Sequence, residues 1–460
     1  MSRHRSLSLW HEQVADAGDP LLPTDVLDGD TDADVCVVGA GYTGLWTAYY
    51  LAKARPDLRV VVVEQHVAGF GASGRNGGWC SALFPASTSA LEHRHGRDRA
   101  LAMRHAMNRT VDEVGRVVEA EGIDCGWSRG GTVVLARSTA QLRRARTEHQ
   151  VDQSYGGVDG VELLDADQAA GRLAASRVRG GTWTPWCARV QPAALVRGLA
   201  AAVRRLGVRV HEGTRALSVG PGQVVTTRGT VRAGQVVRAT EAWTSSLPGS
   251  HRAVIPVYSL IVATEPLPAA VWECIGLAAH ETFSEHRHLV VYGQRTQDDR
   301  LVFGGRGAPY HWGSGIRPSF DRDERVFARL RATLHELLPQ VAPFRVTHSW
   351  GGPLAIPRDW HASVGLDPAT GVGWAGGYVG DGVGTANLAG RTLADLLLGV
   401  DSELVRLPWV QHRSPSWERE PLRWAGINAG LGMATVADAE ERLTGRPALS
   451  GSVLGKLTGH

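Results

Sequence analysis

Between residues 31 and 64 the chain passes from an unbroken apolar run to a helical pattern and back. Val35 to Val38 form the kind of run that buries on both faces as a parallel strand. Leu45 to Leu51 reads as a helix, Pro56 stops it, and Leu58 to Val63 is a second strand ending in Glu64. Further on, Arg97 to Glu121 carries Leu101, Val111, Val114, Val117 and Val118 at mostly helical spacing, and Thr132 to Ala136 reads as a strand. Gln191 and Pro192 open a helix running to Leu206, Gly207 ends it, and Val208 to His211 is a short strand. Strands are predicted at Val257 to Ala263, His288 to Tyr292 and Leu301 to Gly304, with Phe327 to Leu338 as a helix. Val372 to Ala375 is a buried strand, and Ala386 to Leu398 a helix whose first turn is Gly382 to Thr385.

The first strand runs straight into Gly39, Gly41 and Gly44, at the spacing of a dinucleotide-binding turn. The first glycine permits a tight turn, the second a close approach of backbone to a pyrophosphate, and the third close packing of helix on strand. Tyr42 and Thr43 lie at the helix start, whose free N–H groups favour an anion. Glu64, followed by Gln65, stands at the end of the second strand, where a carboxylate hydrogen-bonds a ribose hydroxyl. A second glycine-rich loop follows, VAGFGASGRNGGWC, in which Ser73, Gly74, Arg75, Asn76, Gly77, Gly78 and Trp79 can be held against a ligand by backbone running close to it.

At 460 residues the chain exceeds the size at which one core keeps growing, so two joined domains are expected. A formal charge of +3 is small for this length, and runs such as Arg143, Arg144 and Arg146 read as solvated helix faces, so no nucleic-acid partner is indicated. The five cysteines lie far apart without C-x-x-C spacing, which suggests reduced thiols in a cytoplasmic protein and no zinc site. Scattered histidines give no metal site either. No run approaches the length needed to span a bilayer, so no membrane partner is expected.

VVGAGYTGLWTAYYL together with GASGRNGG resembles the D-amino-acid-oxidase-type family of FAD enzymes, and within it the branch similar to gamma-glutamylputrescine oxidase. The resemblance implies an α/β (α+β) fold: a discontinuous Rossmann-like FAD-binding domain over 31–88, 182–249 and 347–403, with an antiparallel-sheet substrate domain inserted at 89–181 and 250–346. Residues 1–30 are then an N-terminal arm and 404–460 a C-terminal tail with a charged helix at Asp438 to Leu443. The cofactor implied is FAD, held non-covalently, although Cys80 stands close enough for a linkage to remain open. Ala216 falls at the contact near the adenine, and Thr240 and Trp243 belong to a segment under the pyrophosphate. Glu241 there replaces the family's usual glycine. In the resembling family the helix N-terminus at the turn Gly377, Gly380, Asp381, Gly382, Val383, Gly384 and Thr385 meets the flavin's N1 and O2, where charge collects on reduction.

The implied activity is removal of a hydride from the carbon next to an amine, leaving an imine that water hydrolyses. Arg306 and His311 follow paired glycines at a strand end. They form the candidate catalytic set with Tyr258 and with Trp350 of the segment WGGPL. In amino-acid oxidases of the group an arginine holds the substrate carboxylate; Leu354 occupies that position here, which favours a small-molecule amine over a simple α-amino acid. Electrons pass to oxygen or to another acceptor. The only lysines are Lys53 and Lys456, so a cation assisting oxygen would be an arginine or histidine. Oxidation of an amino acid or aminophosphonate, and a non-catalytic flavin-holding subunit, are alternatives.

Overall fold

The protein is described by a computed structural model covering residues 3–444 and Ala448. Thr31–Val38 lies inside an eight-stranded sheet, with Val60–Val63 on one side and Gly229–Arg238 on the other, both parallel to it. The order across the sheet is Ser363–Asp367, Val372–Gly376, Gly229–Arg238, Thr31–Val38, Val60–Val63, Arg209–His211. Ala216–Gly220 and Gln223–Thr226 fold back antiparallel onto the first residues of Gly229–Arg238. Strand pleating sends Val35 and Val37 into the core under helices Tyr42–Ala54, Arg97–Ala120, Pro192–Arg205 and Gly382–Leu398. Cys36 and Val38 go to the opposite face with Val224 and Val231.

A second eight-stranded sheet runs Val346–Ile356, Ile255–Thr264, Leu301–Arg306, Val291–Arg295, Thr282–Glu285, Thr132–Ala136, Gly180–Thr184, Glu162–Leu164. It is antiparallel except between Thr282–Glu285 and Thr132–Ala136. One face buries Tyr258, Leu260 and Val262 against Phe327, Leu330 and Leu334 of helix Glu324–Leu337. Gly180–Thr184 lies across the boundary expected at residue 182, and Val346–Ile356 continues this sheet beyond residue 346, pairing along its length with Ile255–Thr264. Both segments are claimed by strand pairings that a reading along the chain does not show.

Three local departures have identifiable causes. The strand expected from His288 starts at Val291, because the His288 and Leu289 N–H groups donate to the Asp438 carboxylate (2.8 and 3.0 Å) instead of to a neighbouring strand. The short tail helix is a long one, Leu422–Thr444, whose Gly426, Gly430 and Gly432 weaken the helical signal in the sequence. Lys456 lies outside the described residues. The arm contains a helix, Leu9–Asp16, capped by Ser8 and docked on the back of the 73–78 loop: Trp10 Nε1 donates to Asn76 O at 2.9 Å, and Ser8 Oγ to Gly74 O at 3.3 Å. Among the described residues no helix is long and apolar enough to cross a membrane.

His11 of that helix is buried against Gly74, and its pKa falls to about 3, first through burial and then through the nearby charge of Arg75. A histidine with a depressed folded-state pKa gives its full stabilisation above its unfolded value. That stabilisation is lost, at ~1.4 kcal/mol per pH unit, as pH falls from about 6.5 through the folded value. The thermal midpoint is therefore expected to fall on acidification below 6.5, with a shallower slope in His11→Phe. Parallel slopes for the two proteins would remove His11 from the account.

Candidate active site

Gly39, at the end of the first strand, has φ +107°, and a Cβ there would sit 2.5 Å from Ala239 O. At Gly41 an added Cβ would come within 2.9 Å of Ser73 Oγ, which accepts the Tyr42 N–H at 2.9 Å. At Gly44 it would lie 1.9 Å from Gly39 O, so the close seating of helix Tyr42–Ala54 on its strand depends on a bare α-carbon. The helix N-cap is Gly41, which brings no side chain to its first turn. Glu64 Oε2 accepts the Ala40 N–H and Oε1 the His66 N–H, both at 2.9 Å, and burial pushes its pKa up to about 6.

These groups face one cleft. It is lined by Gly39, Gly41, Tyr42 and Thr43, by Glu64, Gln65, Ser73 and Asn76, by Ala216, Thr240 and Trp243, and by Gly380, Gly382 and Val383. Thr43 Oγ1 and Tyr378 Oη share a hydrogen bond of 2.8 Å, tying helix Tyr42–Ala54 to the turn before Gly382–Leu398. Glu241 also lines the cleft, but its Oε2 accepts the Gly377 N–H at 3.1 Å, and burial pushes its pKa up to about 7. The glycine replaced by Glu241 is thus accommodated by turning the carboxylate onto backbone.

A second cavity, about 390 Å³, shares Ala72, Asn76, Leu354, Gly380 and Val383 with the cleft, so the two meet at those residues. Arg75, Gly77, Trp79, Arg306 and Asp381 line this chamber. Trp79 Nε1 is buried without a hydrogen-bond partner. Arg306 Nη2 donates to Val379 O. Burial pushes Asp381 up to about 6, with Arg306 opposing the shift. Asp381 is the N-cap of Gly382–Leu398 but makes no side-chain cap, leaving that first turn open where cleft and chamber join.

Several expected site residues lie elsewhere. Tyr258 points to the opposite face of its strand, into the core, while Ser259 and Ile261 line the chamber. His311 stacks on Phe320, ring centroids 3.4 Å apart, away from the chamber. Trp350 is covered by Trp10 and donates from Nε1 to Arg75 O at 2.9 Å, supporting the loop from behind. Arg75 touches the chamber, but its Nη1 donates to Asp321 Oδ2 (2.8 Å) and Gly351 O (3.1 Å), so its main bonds are structural. Gly74 packs on His11, Gly78 on Gln294, Gly377 on Pro357 and Gly384 on Ser81 O, all as close contacts behind the cavity walls. Thr385 is buried and donates back to Asp381 O at 2.6 Å. The chamber residues missed in the sequence are Arg104, Glu148, Asp159, Thr182, His286 and Tyr292. They carry no motif, being brought together by the second sheet and the helices on it.

A glycine-shaped nucleotide cleft that opens, at an uncapped helix start, into a partly polar chamber is the fold and site of a flavin-type oxidoreductase. Residues 34–396 match the family model described as DAO, FAD dependent oxidoreductase, and the chain belongs to that family. It is 30% identical over 404 residues to the probable oxidoreductase OrdL of Rhizobium meliloti, covering 86% of this chain and 89% of that one. It is 31% identical over 383 residues to the gamma-glutamylputrescine oxidoreductase of Escherichia coli, covering 82% and 86%. Among solved structures, glycine oxidase from Geobacillus kaustophilus superposes with a TM-score of 0.69 at 22% identity, covering 83% of this chain and 99% of that one, a likeness of fold. The residues present fit FAD: two open helix starts face one continuous space, bare α-carbons stand where backbone must approach a ligand, and the Trp79 indole N–H is left without a protein partner.

Proposed function

We propose that the protein oxidises an amine at the carbon next to nitrogen, giving an imine that water hydrolyses, with FAD held non-covalently. The observation that carries this is the junction of cleft and chamber, whose shared residues Ala72, Asn76, Leu354, Gly380 and Val383 include no cation. A substrate carboxylate finds no guanidinium at that position, whereas an aliphatic carbon bearing an amine packs against it. The relative named gamma-glutamylputrescine oxidoreductase supports the reading by the compound in its name.

Gly39, Gly41, Tyr42 and Thr43 would hold the pyrophosphate, Glu64 the ribose hydroxyls, and Ala216, Thr240 and Trp243 the remaining nucleotide wall. The N–H groups from Gly382 onward would face the electron-rich edge of the ring. When bound, FAD supplies the hydride acceptor. Asp381, in the chamber wall and pushed up to about 6 by burial, is placed to take the ammonium proton at its carboxylate. Leu354 and Ile261 keep water from the reacting carbon. Arg306, whose Nη2 comes within 2.9 Å of where a Cβ on Gly380 would sit, would be the cation that assists oxygen or another acceptor. Cys80 is buried, with Trp79 and Ser81 on either side facing the chamber, and burial drives its thiol well above the ordinary range, so it is not placed for a flavin link. The free thiols fit a cytoplasmic setting.

Adding amines to the purified yellow protein without oxygen is expected to bleach the flavin, and acid precipitation to leave the flavin in the supernatant. Rapid bleaching by glycine, sarcosine and D-alanine with amines inert would reverse the substrate assignment.

A further inference from the structure

The chamber extends along most of the second sheet. Seven of the eight strands of the second sheet line it, from Gly352 and Leu354 at the junction with the cleft to Thr182, Trp183 and Thr184 on Gly180–Thr184. Six strand intervals of about 4.8 Å separate those two strands, which sets an upper bound on the reach along the curved sheet.

Its charged lining is arranged in pairs, with one group left over. Arg75 pairs with Asp321 at 2.8 Å. Arg104 grips Asp159 through Nε and Nη2 at 2.8–3.1 Å. Arg306 lies beside Asp381. That leaves Glu148, on helix Thr139–Ser154 at the end away from Leu354. Its Oε2 accepts the Thr182 hydroxyl at 2.9 Å, and the nearest basic group, His286 Nε2, is 3.6 Å away. Burial and the charge of Arg144 depress the His286 pKa to about 4, so the imidazole is neutral at physiological pH. Arg144 itself is committed to Glu441, with both contacts at 2.7 Å. Glu148 keeps 46% of its side-chain surface accessible while lining the chamber. A carboxylate that lines the chamber, keeps nearly half its surface open and has no cation of its own among the described residues is free to accept a charge-assisted hydrogen bond from a cationic ligand.

We propose that Glu148 receives a second cationic nitrogen of the substrate, so that the enzyme selects diamines and related compounds with a distal ammonium group over monoamines of equal length. This rests on the amine-oxidising function proposed above. Trp183 and Trp186, also in the lining, already carry the Arg172 and Arg129 guanidinium groups over their rings, at 4.4 and 4.8 Å, and add apolar wall that suits the methylenes of such a substrate. Glu148 is then a specificity residue, acting on binding at a distance from the reacting carbon.

The test compares flavin reduction and steady-state turnover of the holoenzyme with α,ω-diaminoalkanes of increasing length, from about four to about twelve carbons, and with the n-alkylamines of the same lengths, and reads the series at the length that reaches from the junction to Glu148. Diamines are expected to show kcat/KM at least ~10-fold higher, with the difference mostly in KM, as a charge-assisted contact gives. In Glu148→Gln, where the amide oxygen can still accept the Thr182 hydroxyl, that ratio is expected to collapse towards one. Glu148→Asp should restore part of it. Equal values for the two series in the unmodified enzyme, or a ratio unchanged in Glu148→Gln with a native flavin spectrum, would overturn the assignment. Should no amine of either series reduce the flavin, it is the proposed function that fails.

Discussion

Gly44→Ala is expected to give a nearly colourless protein, with FAD affinity lowered by ~100-fold or more, on the scale by which a misfit of about 1 Å in a site's supporting structure is felt. The new methyl would lie 1.9 Å from Gly39 O and 3.1 Å from Val37 Cγ1. A carbonyl within the phosphate turn cannot rotate aside as a flexible side chain can, so the helix must back away from the strand and take its N–H groups with it. Gly41→Ala serves as the comparison. There the obstacle is Ser73 Oγ at 2.9 Å, a side-chain atom able to shift, and the loss should be smaller. Flavin-to-protein absorbance ratios and titration of apoprotein with FAD measure both. A Gly44→Ala protein with full flavin content and unchanged thermal midpoint would show that the turn is not the seat described.

Arg75→Ala should cost about 3–5 kcal/mol of folding stability, the range for removing one partner of a buried ion pair. Arg75 is 3% exposed and links the glycine-rich loop to the second sheet through Asp321 and Gly351 O. Its removal strands the Asp321 carboxylate, whose pKa burial already raises despite the neighbouring guanidinium. Asp321→Asn, which removes the stranded charge, should destabilise less, and the double variant should fall well short of the sum of the two. Denaturant unfolding of the four proteins gives the coupling. Additive losses, or a loss below about 1 kcal/mol for Arg75→Ala, would mean that the pair does not hold loop to sheet.

The strand, glycine turn and helix at 31–54 were legible because each step is local: a buried apolar run, fixed glycine spacing, and a stop at Pro56. The closing helix at 382 was legible for the same reason. Tyr258 is misread because the face a strand residue takes depends on register, and one residue changes the side: Ser259, not Tyr258, meets the chamber. His311 lies in a loop beyond the end of Leu301–Arg306, where nothing local shows that it stacks on Phe320. Trp350 was misplaced because nothing in its own segment announces that Trp10 covers it. Glu148 sits in a polar helix with Arg143, Arg144 and Arg146, where the sequence offers only a solvated face; the sheet beneath gives it a different environment.

The cleft draws its walls from residues as early as Val38 and as late as Ala386. During synthesis, then, the first strand and turn emerge long before the helix that completes the opposite wall. The nascent polypeptide thus has no complete cleft until both pieces have left the ribosome, and a chain broken off between them lacks one of its two walls.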